Sequence, residues 1–138
     1  MPSLASSRDR SRAIGTHTIA VIFEAHPHPG SKGAYLDAAE QLRPLLAQMA
    51  GFLSLERFES LTEPGKILSL SFWQDEEAVR RWRNVEEHRR AQRAGRQTIF
   101  AAYRLRVAQV IRDYGSHDRA EAPGDSRTAD IGDTQCSQ

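Results

Sequence analysis

Residues 18–25, with the sequence TIAVIFEA, form a short stretch in which nearly every side chain is apolar. Its β-branched and aromatic residues favour a strand, and the prolines of the following segment HPHPG require an extended loop. Since successive side chains of a strand point to opposite faces of its sheet, this strand has apolar residues on both faces. Both faces of the sheet must therefore be covered, by other parts of the chain or by a partner.

A helical pattern follows the loop, because apolar residues recur three or four positions apart from Tyr35 to Met49. Pro44 lies inside this pattern, so we expect a kink or a fresh helical start at that point. Gly51 is expected to end the helix.

Two further strand patterns, at residues 52–61 and 66–73, are predicted to form a hairpin. Pro64 and Gly65 lie between them and suit the two central positions of a type II turn. The second strand alternates with a period of two and has one clearly apolar face, formed by Leu68, Leu70 and Phe72.

A second helical region is predicted after the hairpin, with Asp75 as its N-cap. Its buried stripe consists of Ala78, Val79 and Trp82. The apolar pattern then shifts phase, and Asn84 followed three residues later by a glutamate has the spacing of a capping box. We therefore predict a separate short helix over residues 85–94, with Gly95 as its C-cap. A fresh start at Asn84 turns His88 and Gln92 toward the interior.

A last strand is predicted from residue 99 or 100 to Tyr114. One face of this strand carries Tyr103, Leu105, Val107 and Ile111. The order β–α–β–β–α–β predicts an α+β, ferredoxin-like fold, in which a four-stranded antiparallel sheet has its helices on one face. No segment remains to cover the other face of the sheet. We therefore expect a homodimer joined sheet to sheet, since a second copy would cover that face.

The length of 138 residues fits one domain, and its two ends contain few side chains large enough to bury. We predict a disordered head over residues 1–15 and a disordered acidic tail over residues 115–138. The domain itself is expected to extend over residues 16–114.

The charge, the short apolar runs and the cysteine content exclude several classes of protein and of binding site. The net charge of +1 argues against electrostatic nucleic-acid binding, and the apolar runs are too short for a membrane span or a signal peptide. Cys136 is the only cysteine, so an intramolecular disulfide, a cysteine-based zinc site and an iron–sulfur cluster are excluded. These features predict a cytoplasmic protein that does not bind membranes.

Three segments resemble the antibiotic biosynthesis monooxygenase (ABM) domain family: IAVIFEAHP, the block from GFLSLERFES to GKILSLSFWQDEEAVRRWR, and HRRAQRAGRQTIFAAYRLRVAQVIRDYG. The resemblance covers about residues 16–114. It implies a dimeric α+β barrel, with a pocket between sheet and helices in each subunit. Some relatives oxygenate phenolic polyketides without metal, flavin or haem, and others bind and degrade haem.

The resemblance also implies roles for individual residues. Trp82 matches the helix tryptophan that lines the pocket in the oxygenases, whereas Ala78 stands where the cofactor-free enzymes have an asparagine. A neutral imidazole at His88 would take a proton from a phenol at physiological pH, or else bond to a backbone carbonyl or a carboxylate. Glu24 would act as an acid or base in the pocket or hold His88, or would belong to the exposed end of its strand.

Four more side chains are candidates for binding a substrate: Phe23, Trp73, Gln92 and Tyr103. The aromatic ones would form walls of the pocket, although aromatic strand residues also serve as ordinary packing. His26 and His28 lie two positions apart in the proline-rich loop, and two histidines do not supply the three or four ligands of a metal site.

The sequence is therefore compatible with three functions. The first is an ABM-type monooxygenase that oxygenates a flat phenol or quinol with O2 and without a cofactor. The second is a haem-binding or haem-degrading protein, with haem as its cofactor. The third is a non-enzymatic dimer that binds an apolar small molecule.

Overall fold

Six elements form the fold in the computed structural model, which describes residues 17–92 and 100–126, with side chains of residues 87–92 left outside that description. The elements are β1 (Ile19–Pro27), α1 (Lys32–Ala47), β2 (Phe52–Glu59), β3 (Ile67–Trp73), α2 (Glu76–Gln92) and β4 (Phe100–Gln109). The strands lie in the order β2-β3-β1-β4, and each neighbouring pair is antiparallel. The predicted ferredoxin-like architecture is confirmed.

Local hydrogen bonds define the turn and the cap that the sequence predicts. The amide of Lys66 donates to the carbonyl of Glu63 at 3.2 Å, and Gly65 has a φ of 84°, as the third residue of a type II turn requires. The carboxylate of Asp75 accepts a hydrogen bond from the amide of Ala78 at 2.9 Å, so that Asp75 caps α2. Both predictions are confirmed.

The predicted restart of the second helix at Asn84 is wrong, because α2 is one continuous helix from Glu76 to Gln92. Arginine, glutamate and alanine dominate its sequence, and these residues favour helix. Extending an existing helix by one residue is much easier than ending it and nucleating another. For the same reason α1 passes through Pro44 as one element, without a fresh start.

The helices cover one face of the sheet. The core between them consists of Ile19, Leu46, Trp73, Ala78 and Val79, with Val21, Met49, Phe52, Leu55 and Trp82 packed against it. Odd-numbered residues of β1 and β3 therefore face the helices, and even-numbered residues face away. The clearly apolar face of β3 is thus the one that the helices leave uncovered.

The chain beyond β4 folds back in turns. The amide of Asp113 donates to the carboxylate of Glu121 at 2.6 Å, and the guanidinium of Arg119 lies 5.0 Å from the centre of the Tyr114 ring. Ala122 is buried. Residues 115–126, which were predicted to be disordered, therefore have defined contacts. Across the described ranges, no helix is both long and apolar enough to span a membrane.

Candidate functional site

A tryptophan cluster closes one end of the helix-covered face, and it consists of Phe52, Trp73 and Trp82. The ring of Trp73 lies 5.3 Å from Phe52 edge to face and 6.3 Å from Trp82 in a stacked arrangement. The indole N–H of Trp73 donates to the hydroxyl of Ser71 at 2.9 Å. Trp73 is only 1% exposed. It therefore supports Trp82, and the expectation that Trp73 itself contacts a substrate is corrected.

A phenyl cluster closes the other end of this face, and it consists of Phe23, Tyr35, Phe100 and Tyr103. The ring of Phe23 lies 5.5 Å from both Phe100 and Tyr103, and Phe100 lies 5.2 Å from Tyr35. Tyr35 comes from α1 and is buried, whereas Tyr103 on β4 is 62% exposed. Phe23 and Tyr103 thus lie on the helix side of the sheet, and their contact with a substrate stays a prediction.

Between the two clusters lies a stretch of sheet that we call the helix-side floor, formed by Val21, Ser69, Leu105 and Val107. Val21 pairs with Val107, and both Ser69 and Leu105 pair with Phe23, so all of them share one face. Leu105 and Val107 are 50% and 44% exposed. The small serine and the uncovered β4 side chains leave an open apolar surface bounded by aromatic rings.

Glu24 lies on the opposite face of the sheet, away from the helices, which corrects the expectation that it faces the pocket. Its two carboxylate oxygens lie 3.1 Å from Lys66 Nζ and 3.1 Å from Arg106 Nη1. The hydrogen bond from Lys66, together with the charges of Lys66 and Arg106, lowers the pKa of Glu24 below its ordinary value. Glu24 therefore joins β1 to β4 and to the start of β3, and it cannot hold a group on the helix-covered face.

Ala78 is fully buried at the point where α2 approaches the loop before β2. A Cβ atom built on Gly51 would lie 2.6 Å from the Cβ of Ala78, and Gly51 has a φ of 86°. The glycine carbonyl also accepts a hydrogen bond from the amide of Gln74 at 2.7 Å. The close approach of Gly51 and the burial of Ala78 leave little space at the position where the resemblance implies an asparagine in the cofactor-free enzymes.

His88 and Gln92 lie on α2, but their side chains are outside the described residues. Because α2 is continuous, position 88 is about 120° around the helix axis from position 82. The phase shift from which an inward-facing His88 was predicted is absent.

His26, near the end of β1, and His28, in the loop that follows, do not form part of a metal-ligand cluster. His26 Nε2 lies 2.6 Å from a carboxylate oxygen of Glu63, and His28 is exposed. Among the side chains that the structure describes, those of residues 17–86 and 100–126, no group of three or more histidine, cysteine or acidic residues is arranged to hold a metal ion.

Comparison with known proteins places these features in a family. The family model described as antibiotic biosynthesis monooxygenase matches residues 18–94. The chain belongs to this ABM family. A curated relative, the jasmonate monooxygenase ABM of Pyricularia oryzae, is 46% identical over 99 residues, which make up 72% of this chain. The chain spans only about half of that relative, namely 46% of its length.

Two solved structures share the ABM fold with this chain. SnoaB from Streptomyces nogalater, a cofactor-independent oxygenase whose structure is that of a mutant, has a TM-score of 0.56 at 14% identity and covers 70% of this chain and 95% of its own. The haem degrader MhuD from Mycobacterium tuberculosis, with two haems bound in its active site, has a TM-score of 0.56 at 17% identity and covers 70% of this chain and 99% of its own. At these identities the likeness concerns the fold.

Several residues of the helix-side floor escaped prediction from the sequence. Ser69 and Val21 were not identified, although strand alternation places each of them on the face of a residue that was: Ser69 with Trp73, and Val21 with Phe23. Leu105 was placed on the face of Tyr103 without being recognised as part of a site. In this ABM domain the period of two was therefore the signal that could have found them.

Proposed function

We propose that this ABM domain is a monooxygenase that oxygenates a flat, mostly apolar phenol or quinol with O2 and without a cofactor. The observation that carries the proposal is the open helix-side floor between two groups of aromatic rings. A surface of this kind suits a planar apolar substrate, because aromatic side chains contribute large contact areas and stack on ring systems. Membership of the ABM family and the name of the curated relative support the reaction class.

The rings of Phe23, Tyr103 and Trp82 are the proposed walls of the binding site. Phe23 and Tyr103 bound the floor at one end, and Trp82, stacked on the buried Trp73, bounds it at the other. The hydroxyl of Ser69 is the polar side-chain group of the floor, and it lies beside Phe23, its partner across the sheet. A substrate oxygen would find there a hydrogen-bond partner in an otherwise apolar surface.

The proposed chemistry begins when a base removes the phenolic proton. The electron-rich phenolate then transfers an electron to O2, and the two radicals combine to form a C–O bond at the ring carbon opposite the hydroxyl. Protonation gives a hydroperoxide, which loses water to leave a carbonyl. One atom of O2 thus enters the quinone product and the other leaves as water, while the substrate supplies the electrons.

His88 is the proposed base, with Gln92 one helical turn further as a hydrogen-bonding group for a substrate oxygen. A neutral imidazole has the proton affinity that this step requires near neutral pH. Since position 88 is about 120° around α2 from Trp82, this role requires a substrate that extends from Trp82 around the side of α2. Replacing His88 by alanine is then expected to lower kcat and to remove a protonation step from its pH profile.

Haem is the alternative cofactor, and it would need an axial ligand beside the helix-side floor. Of the described histidines, His26 is bonded to Glu63, and the others, His17, His28 and His117, are exposed. None of these four contributes to the helix-side floor, so the described residues do not supply an axial ligand there. Titration of the protein with hemin tests this alternative: a shifted Soret band that is lost in His88→Ala would assign His88 as an axial ligand, and the absence of a shifted band would reject haem binding.

A homodimer is part of the proposal because the face of the sheet away from the helices is apolar. Ile22, Leu68, Leu70 and Phe72 share this face and are half-buried within one subunit. A second copy packed sheet to sheet would remove them from water. The charges of Glu24, Lys66 and Arg106 would then lie at the edge of the interface.

Oxygen consumption by metal-free protein tests the proposal. With a panel of naphthols and anthrols that carry a hydrogen at the ring carbon opposite the hydroxyl, in the presence of EDTA, we expect uptake of one O2 per quinone formed. Leu105→Trp fills the floor and is expected to reduce turnover at least tenfold, whereas Leu61→Trp, at a fully exposed loop position, leaves it unchanged. The absence of uptake with every substrate, or full activity of the Leu105→Trp variant, would reject it.

A further inference from the structure

A groove separate from the helix-side floor lies between the start of α1 and the edge strand β2. Its volume is about 160 Å³, and it is lined by Lys32, Leu36, Arg57, Phe58, Glu59 and Ile67. The groove and the floor share no lining residue, although they are adjacent: Arg57 on β2 pairs with Ser69 of the floor on β3.

The charges around the groove do not cancel. Lys32 Nζ lies 3.0 and 3.1 Å from the two carboxylate oxygens of Glu59, so these two charges neutralise each other. Arg57 supplies a second cation, and no acidic side chain among the described residues pairs with it. The Nε atom of Arg57 is buried and has no hydrogen-bond partner within the described part of the chain. The groove therefore retains one positive charge with unused hydrogen-bonding capacity.

The orientation of Arg57 is supported by an aromatic ring. Its guanidinium carbon lies 6.0 Å from the centre of the Tyr35 ring, within the range of a cation–π contact. Tyr35 is buried and is itself held against Phe100. A guanidinium packed against a ring keeps its planar edge available, and that edge matches the two oxygens of a carboxylate.

We propose that this groove binds a small monocarboxylate with a compact apolar body. Arg57 would hold the carboxylate, and Leu36 and Ile67 would contact the apolar part. A cavity of roughly 150 Å³ is large enough for a benzene ring, so the volume suits an aromatic or short branched acid. Because Lys32 and Glu59 neutralise each other, the single remaining charge of Arg57 matches a ligand with one negative charge. The inference does not depend on the proposed oxygenase activity.

Titration with benzoate, followed by amide chemical shifts in NMR spectra, tests this site. We expect saturable shifts concentrated at residues 32–36, 57–59 and 67, and binding of the neutral isostere benzamide that is at least about tenfold weaker, since a charge-assisted hydrogen bond is lost. Shifts centred on the helix-side floor would contradict the proposal. Equal affinity for benzamide and benzoate would contradict it as well.

Substitutions then identify the cation. Arg57→Gln is expected to weaken benzoate binding at least about tenfold, and Arg57→Lys is expected to retain part of it because the charge remains. Arg43→Gln on α1 is the matched control, since Arg43 is exposed and pairs with Glu40, and it should bind as the unaltered protein does. Unchanged binding by either Arg57 variant with native circular dichroism would overturn the assignment, and so would an equal loss in Arg43→Gln.

Discussion

The tight packing between α2 and the loop before β2 limits which residue can stand at position 78. Ala78 is fully buried and faces the left-handed Gly51, whose missing side chain makes room for it. We expect an asparagine at this position, as the resemblance implies for the cofactor-free relatives, to displace the loop. The proposed oxygenase therefore needs a base at another position, and His88 is our proposal for it.

Substituting asparagine for Ala78 tests the steric argument. We expect a loss of about 2–4 kcal/mol in the free energy of unfolding, because the change overpacks the contact with Gly51 and buries an amide. Urea denaturation followed by circular dichroism measures it. Ala34→Asn at an exposed position of α1 is the control and should lose less than about 1 kcal/mol. Similar losses in both variants would show that helix propensity, and not packing, sets the cost.

The ion pairs of Glu24 predict a dependence of stability on pH. Lys66 and Arg106 lower the pKa of Glu24 from its ordinary value of 4.5, so the folded state binds fewer protons there than the unfolded state. Their contribution is present above pH 4.5 and is lost as the pH falls through the lowered pKa. We expect Glu24→Gln to be less stable than the unaltered protein at about pH 7 and equally stable near pH 2, as measured by urea midpoints. A difference that is the same at both pH values would contradict this.

At the scale of elements, the sequence predicted the features that depend on neighbouring residues, such as turns and helix caps. It did not predict features that depend on the rest of the fold, such as the continuity of α2. The turn at Gly65 and the cap at Asp75 depend on a few neighbouring residues, and the sequence alone predicted both. The continuity of α2 depends on whether a cap at Asn84 outweighs the cost of a new helical nucleus, which spacing does not reveal. Phe23 and Glu24 were both predicted to face the pocket, although adjacent strand residues point to opposite faces.

Two glycine substitutions distinguish the effect of backbone conformation on stability from the effect of the space available for a side chain. A Cβ atom at Gly65 or at Gly33 would meet no atom within 4 Å, but only Gly65 has a positive φ. We expect Gly65→Ala to destabilise the protein by about 1 kcal/mol and Gly33→Ala, within α1, to stabilise it by about 0.5–1 kcal/mol. Thermal unfolding monitored by circular dichroism compares them. A stabilising Gly65→Ala would show that the turn adopts another type.

For the whole molecule, the division of the sheet into two faces connects fold and function. One face carries the helices, the two aromatic clusters and the helix-side floor. The other is apolar along β3 and β1, with Phe58 of β2 exposed beside it. Because the first strand is apolar on both sides, the sequence predicted a sheet with two apolar faces. It did not show which of these faces the helices would cover.

Sedimentation analysis tests the proposed pairing of subunits. We expect the unaltered protein to have twice the chain mass of 15.5 kDa, and Leu70→Asp to have the mass of one chain because a buried charge would oppose the interface. Leu61→Asp, at a fully exposed loop position, should remain a dimer. A monomeric unaltered protein, or a dimeric Leu70→Asp variant with native circular dichroism, would contradict sheet-to-sheet pairing.

Isotope labelling tests the proposed monooxygenation most directly. Metal-free protein is incubated with an oxidisable naphthol or anthrol under 18O2, and the quinone and water are analysed by mass spectrometry. The proposal predicts one 18O atom in each product molecule, one in water, and a rate that falls when Leu105→Trp fills the helix-side floor. Product oxygen derived from water, or labelling that proceeds equally well in Leu105→Trp, would contradict oxygenation at this surface.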